Sequence, residues 1–386
     1  MASAQEKLDL FSTANEILLN PRLPREDYEA LYALAENVQK EKQLQGHVWL
    51  ATSGSTAESA ARTKLVALSK KALLSSAEAV NQHLQSTSND VWTQVLPHFH
   101  VGGLGIEVRA ELAGARVVSA LKDGRWDTDH FYKILFQERC TLSALVPTQV
   151  YDLVARSLPA PPLIRAIVVG GGAFEVELFK KARALGWPVL PSYGMTETAS
   201  QIATARLQSL TESDFPEMVL LSHAQARKNE DGFLQVQATS LFTCYAQNSA
   251  QQARWWDPKV DGWFTTEDRG EVIQGALHIQ GRSKDYIKIG GEGTNVAHLR
   301  SILENCALSV SPDFPLKMTL LDMPSERLGS EIHIVSLLSQ EETENIVKIF
   351  SEKVLPFEKP RKIHYAKEIP RSDLGKILWA QLRNSL

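Results

Sequence analysis

IRAIVVGGGAFEVELFKKARALGWPVLPSYG, residues 164–194, sets the pattern of the chain. "IRAIVV" is a β-branched run that ends in three glycines. "EVELFKKARALG" places apolar residues at helical spacing, and "PVLPSYG" returns as a short apolar run closed by turn residues. Strand, tight turn, helix and strand fit in about 30 residues, the size of one βαβ unit. The same rhythm runs upstream. "HVWLA" leads into "TSGST", "VWTQVL" into "PHFHVGG", and "ARVVSAL" and "LSALVP" follow, with "SKKALLSSAEAVNQHLQ" as a helical segment. Strands alternating with helices predict an α/β domain. Ligands of such domains lie beyond the carboxyl ends of the strands, so these loops are expected to share one rim.

Downstream the character changes. "GFLQVQATSLFTCYA" and "GALHIQG" read as shorter alternating strands, joined by "DPKVDGWFTTEDRG" as a turn-rich link. After "GRSKD" come "IKIGGEG", a helix "VAHLRSILENCA", strands "KMTLLD" and "EIHIVSLL", a helix "EETENIVKIFSEKV" and a strand "KIHYAK". That is an α+β unit of about a hundred residues, a plausible domain size. The expected organisation is a large domain over residues 1–281 and a small one over residues 282–386.

Bulk properties narrow the function. The chain has 386 residues, 44% hydrophobic and 22% charged, with a net charge of -4. Such a balance carries no footprint for nucleic acid and no polybasic membrane patch. No window supplies the ~20 apolar residues that span a bilayer. The first residues lack a basic-then-apolar leader. Cys140, Cys244 and Cys306 are scattered, which fits a reducing cytoplasm. His98 and His100 have no third ligand nearby to make a metal site.

Several short motifs invite a phosphate or a nucleoside. Thr52, Ser53, Gly54, Ser55 and Thr56 put hydroxyls and backbone N–H groups around a glycine, as in anion-binding nests. No G-x-x-x-x-G-K-[ST] is present, and taken alone such a loop is first an ordinary turn. Gly170, Gly171 and Gly172 remove side chains where a ligand approaches the backbone, or where a turn is merely tight. "PSYGMTETASQ", residues 191–201, offers Tyr193 as a stacking face, Thr196 as a phosphate donor and Glu197 as an oxygen ligand for Mg²⁺. Asp268 suits a pair of ribose hydroxyls, and Arg282 a ribose or phosphate. Lys376, in "PRSDLGKI", taken alone is a solvated surface lysine.

In this order the motifs resemble those of the acyl-adenylate-forming superfamily, from about residue 47 to the end. The carriers are "TSGST", "SYGMTE", "GWFTTEDRG", "GRSKDYIKIGGEG" and "PRSDLGKI". The resemblance implies a large α/β domain followed by a small mobile α+β domain. It also implies attack of a carboxylate on ATP in the presence of Mg²⁺, giving an acyl-adenylate, then transfer to coenzyme A. Ser192, Tyr193 and Gly194 would sit at the nucleotide with Asp268, Arg282, Gly170, Gly171 and Gly172. Thr196 would hold a phosphate, Glu197 the metal, and Lys376 the charge developing at the α-phosphate. Lys284 matches the hinge.

Within the superfamily, "LPHFHVGGLGIEVR", "ALVPTQ" and "GGGAFEVELFKKA" are most similar to the o-succinylbenzoate–CoA ligases of menaquinone biosynthesis. That likeness implies an aromatic carboxylic acid as partner substrate, in a pocket made by His100, Arg109, Thr148 and Gly171. The local sequence also permits Arg109 a surface ion pair with Glu107 or Glu111. Other readings stand beside this one: a different acyl-CoA ligase, an adenylation protein loading a carrier, or a non-catalytic nucleotide-binding relative. A homodimer is a candidate assembly. The sequence departs from the pattern at the phosphate loop, "TSGSTAESAARTK", where Ala57 replaces a glycine and extra residues precede Lys64. Glu267 stands where a glycine is frequent, and "TNVAHLR" lacks the usual proline and glutamate.

Overall fold

The structure is a computed structural model describing residues 8–52, 63–212, 214–248, 253–282, 285–289, 292–325, 327–373 and 375–386. Ser53, Gly54, Ser55, Thr56 and Lys284 lie outside them. Among the described residues the strands form three sheets.

The quoted βαβ unit is present. Ala166–Val169 and Val189–Met195 pair in parallel, joined by the helix Val176–Ala184. They belong to an eleven-stranded mixed sheet. Its parallel half runs Val189–Met195, Ala166–Val169, Leu142–Leu145, Val91–Gln94, Arg116–Ser119. Leu142–Leu145 and Ala166–Val169 are wholly buried because helices cover both faces, with Trp92, Phe131, Leu142, Ile167 and Trp187 in one core, whereas the edge strand Arg116–Ser119 is largely exposed. The strand order reverses at Val91–Gln94, which lies between Arg116–Ser119 and Leu142–Leu145. Beyond such a switch point the flanking loops splay and leave a crevice. His100 follows one of the bordering strands and Thr148 the other.

Two expectations need correction. His47–Ala51 is not part of the parallel series. It pairs antiparallel with Leu65–Ser69 in a five-stranded sheet completed by Glu16–Leu18, Cys244–Asn248 and Ala253–Trp256. Thr52 therefore leaves a different sheet from the one ending at Gly170. The segment "DPKVDGWFTTEDRG" is also more than a link, because the strand Phe264–Ile273 begins inside it. Phe264, Thr266 and Asp268 point inward and Thr265 and Glu267 outward, the period-two pattern of a half-buried strand.

Among the described residues five helices escaped the sequence reading: Arg25–Glu41, Val101–Ala113, Thr128–Gln137, Pro147–Ala155 and the short Trp379–Asn384. Val101–Ala113 was hidden by three glycines in its first half, which local propensity scores against a helix. Tertiary packing overrides that here. A side chain on Gly103 would overlap the carbonyls of Leu96 and Pro97.

The third sheet joins Glu292–Asn295, Tyr286–Ile289, Gly329–Ser336 and Met318–Ser325, with Lys362–Tyr365 parallel to Gly329–Ser336. It has its own core of Ile289, Leu299, Leu303, Ile332, Ile334, Ile346 and Phe350 under the helices Val296–Val310 and Gln340–Lys353. Ser339 and Glu342 cap the second helix reciprocally. Among the described residues no helix is long and apolar enough to cross a membrane.

Candidate active site

The three glycines floor the rim. Ser192 Oγ donates to the carbonyl of Val169 at 3.1 Å, and a Cβ on Gly170 would lie 2.7 Å from that oxygen. Gly171 has φ +80°, which favours glycine. Gly172 faces Pro147 at the start of the helix Pro147–Ala155. Backbone is thus exposed between Ser192 and Pro147 where a flat ligand could lie.

The nucleoside candidates meet directly. Tyr193 donates its hydroxyl to Asp268 Oδ2 at 2.6 Å. Asp268 is buried on Phe264–Ile273, and in register opposite it stands Arg282, the last residue of Ala276–Arg282. The strand Val189–Met195 is irregular between Tyr193 and Gly194, where a side chain on Gly194 would strike the Ser200 carbonyl. Thr198 Oγ1 then binds the chain back on itself, donating to Ser200 O at 2.6 Å. This turn carries Thr196 and Glu197.

Glu197 Oε1 accepts a hydrogen bond from the Tyr245 hydroxyl at 2.8 Å. Burial and the Glu197 carboxylate push the Tyr245 phenol up, so it stays protonated and a donor. Lys64 Nζ lies 4.8 Å from the centre of the Tyr245 ring, and the Thr52 N–H donates to Lys64 O at 3.0 Å. The lysine displaced along the sequence from the phosphate loop therefore still reaches the neighbourhood of Glu197. Sequence reasoning missed Tyr245, since nothing local distinguishes it from a core tyrosine.

The acyl-pocket candidates surround the switch-point crevice. His100 precedes the helix Val101–Ala113, and burial pushes its imidazole down to about 4, so the ring is neutral. Asp373 and Lys376 both act on it electrostatically, which places the hairpin carrying Lys376 beside it. Gly375 packs so closely on Thr148 that a side chain there would overlap the threonine hydroxyl.

Arg109 is 1% exposed, so the surface ion pair that the local sequence permits does not exist. Its Nη2 donates to Ser200 Oγ at 2.8 Å, and its guanidinium stands 5.9 Å from the Trp92 ring. Nε has no partner, and among the described residues no carboxylate pairs with Arg109. Burial alone pushes its pKa down to about 10. Gly105, one turn back, lies against Nη2, where a Cβ would come within 3.1 Å. His223 joins this region unforeseen. Neither ring nitrogen has a partner among the described residues, and burial and the Arg109 charge push the imidazole down to about 4.

The profile of the AMP-binding enzyme family matches residues 12–224. The chain belongs to the AMP-binding enzyme family. This family member is 26% identical over 311 residues to a 2-succinylbenzoate–CoA ligase of Bacillus licheniformis, covering 78% of this chain and 62% of that one. It is 26% identical over 418 residues to a 2-succinylbenzoate–CoA ligase of Bacillus cereus strain AH820, covering 97% and 83%. It spans only 60% to 65% of the length of the first three curated relatives. Among solved structures, o-succinylbenzoate CoA synthetase from Bacillus subtilis in complex with its acyl-adenylate intermediate superposes with a TM-score of 0.71. That match has 21% identity and covers 96% of this chain and 88% of that one. The same enzyme with ATP and magnesium ion gives 0.72 at 21% identity, covering 96% and 89%. These likenesses establish the fold: an α/β architecture shared with acyl-adenylate-forming enzymes.

Proposed function

We propose that this AMP-binding enzyme joins coenzyme A to an aromatic dicarboxylic acid through an acyl-adenylate, with o-succinylbenzoate as the acid. The observation that carries the substrate is Arg109, a buried cation with no carboxylate beside it among the described residues. A buried charge is costly unless it is paired. A substrate's second carboxylate would supply the partner, and a planar guanidinium holds a carboxylate bidentately. The names of the relatives support the same substrate.

In this reading the first carboxylate lies near His100 and Thr148 and attacks the α-phosphorus of ATP. Lys376 stabilises the charge that develops there, Thr196 binds a phosphate, and Tyr193 covers the base. Asp268 and Arg282 hold the ribose, while the backbone at Gly170, Gly171 and Gly172 supports the nucleotide. Such work is alignment and charge stabilisation, and positioning can supply ~7–11 kcal/mol. Glu197 would hold Mg²⁺, which takes one or two carboxylates plus substrate phosphates. Its carboxylate fits, having Tyr245 as its hydrogen-bond donor and one of its two oxygens outside that bond. The metal would neutralise phosphate charge. Thr52, Ser53, Gly54, Ser55 and Thr56 remain the proposed pyrophosphate loop.

Residues 1–281 and 282–386 are the proposed domains, with Lys284 as hinge between the adenylating and thioester-forming orientations. A cytoplasmic setting is supported by three free, buried cysteines. The test is a panel of carboxylic acids with ATP and coenzyme A, read by product mass and by acid-dependent ATP–pyrophosphate exchange. Thioester formed from o-succinylbenzoate is the expected product. Exchange without a thioester would favour a carrier-loading protein, and no exchange with any acid would sink the adenylating function.

A further inference from the structure

The hairpin carrying Lys376 is framed from inside and tied from outside. Inside, Arg371 Nη1 donates to Gly375 O at 2.9 Å, the Ser372 N–H to Lys376 O at 2.7 Å, and the Lys376 N–H to Ser372 Oγ at 3.2 Å. Outside, the tie comes from the other end of the chain. Asp373, at the hairpin tip, meets Arg22 Nη1 through Oδ1 at 2.5 Å and accepts from Asn20 Nδ2 through Oδ2 at 3.1 Å. Both carboxylate oxygens are thus engaged by one turn. That turn is itself anchored on the large α/β unit. Arg22 Nη2 donates to Gly124 O at 2.7 Å, and the Arg22 N–H donates to Asn20 Oδ1 at 3.0 Å.

We propose that the Asn20–Arg22 turn is a latch that holds Lys376 over the site for the adenylation step, with Arg22 and Asp373 as positioning residues. The proposal rests on the adenylating function above. Asp373 moves with the tail, whereas Arg22 is fixed to Gly124, so the pair exists in this orientation and breaks in any other. A contact made in one of two orientations shifts the population toward it by its own differential strength and no more. The latch must also open once per turnover, so a modest grip suits it. Arg22 and Asp373 side chains are 37% and 30% exposed, the setting of a weak, salt-screened pair.

The test separates the half-reactions in Arg22→Ala, Asp373→Ala and the swap Arg22→Asp/Asp373→Arg. Each single change is expected to slow acid-dependent pyrophosphate exchange about fivefold, the upper end for an exposed charge pair. The KM for ATP should stay within about twofold, and coenzyme A should consume purified acyl-adenylate at least as fast as in the parent. Arg22→Lys and the swap should recover most of the lost exchange. Equal slowing of both half-reactions, unchanged exchange in the single variants, or a swap no better than either would overturn the latch. Asn20→Cys/Asp373→Cys tests the docking without any activity. Ready disulfide formation in the free protein is expected, and its failure under oxidant would also overturn the latch. No exchange in the parent enzyme, with ready cross-linking in the double-cysteine variant, would instead count against the adenylating function.

Discussion

Replacing Arg109 by methionine removes the charge and keeps much of the side chain's length, and the outcome can be worked from the structure. The arginine is 1% exposed and its pKa falls from 12.5 to about 10 through burial alone. At 1.36 kcal/mol per unit, the buried cation costs the ligand-free fold ~3 kcal/mol. The folded pKa is the lower one, so this cost is fully present below about pH 10 and disappears above the unfolded value. Losing the hydrogen bond to Ser200 returns ~1 kcal/mol. Arg109→Met should therefore stabilise the free protein by ~2 kcal/mol, raising Tm by about 2–3 °C. The same change strips the proposed partner from a buried substrate carboxylate, worth ~3–5 kcal/mol, so KM for o-succinylbenzoate should rise at least ~10²-fold. KM for ATP should hardly move, and the penalty should shrink for an aromatic acid lacking the second carboxylate. The assays are thermal unfolding without ligand and steady-state kinetics on both acids. A lower Tm combined with an unchanged KM for the dicarboxylate would refute the reasoning, because Arg109 would then be a structural cation.

Three further outcomes follow from the geometry. Lys376→Ala should slow adenylation ~10²–10³-fold, as for one lost preorganised donor, while thioester formation from acyl-adenylate persists; single-turnover acyl-AMP formation reads it. On the proposed hinge, Lys284→Pro should preserve one half-reaction and abolish the other, because φ would be fixed near −65° where the proposal requires two orientations; measuring both steps decides it. Glu304 is pushed up to about 7 by burial and by Glu175. Its raised value means that stability is present below the ordinary value of 4.5 and is lost as pH rises toward 7. Glu304→Gln should flatten that fall, and Tm measured from pH 5 to 8 checks it.

The inner strands Leu142–Leu145 and Ala166–Val169 of the parallel half were legible because both their faces are buried, which writes continuous apolar runs. "IRAIVV" and "LSALVP" needed nothing but hydrophobicity and turn residues. The helix Val101–Ala113 was not legible, because Gly102, Gly103 and Gly105 answer to packing against Leu96, Pro97 and Arg109 rather than to local propensity. The pairing of His47–Ala51 with Leu65–Ser69 was equally hidden, since a short link reads the same whether a strand continues its own sheet or starts another. At the site, contiguous motifs such as "SYGMTE" announced Tyr193, Thr196 and Glu197. Tyr245, His223 and Arg22 did not, because each reaches the site from a distant segment. Arg109 was ambiguous for a different reason: Glu107 and Glu111 offered it a local partner, and only burial decided against them.

The register of Asp268 opposite Arg282 has a mechanical consequence. That pair is the last rung of its ladder, and the chain leaves the large sheet immediately after it. Any swing of the tail about the proposed hinge would turn on an axle two residues along the chain from Arg282, whose ladder partner Asp268 is the carboxylate proposed to hold the ribose. A point moves in proportion to its distance from the axle, so a sugar held at Asp268 would move less than groups carried further along the tail. An acyl-adenylate held there would keep its handle fixed as one tool is withdrawn and another presented to the same carbonyl carbon.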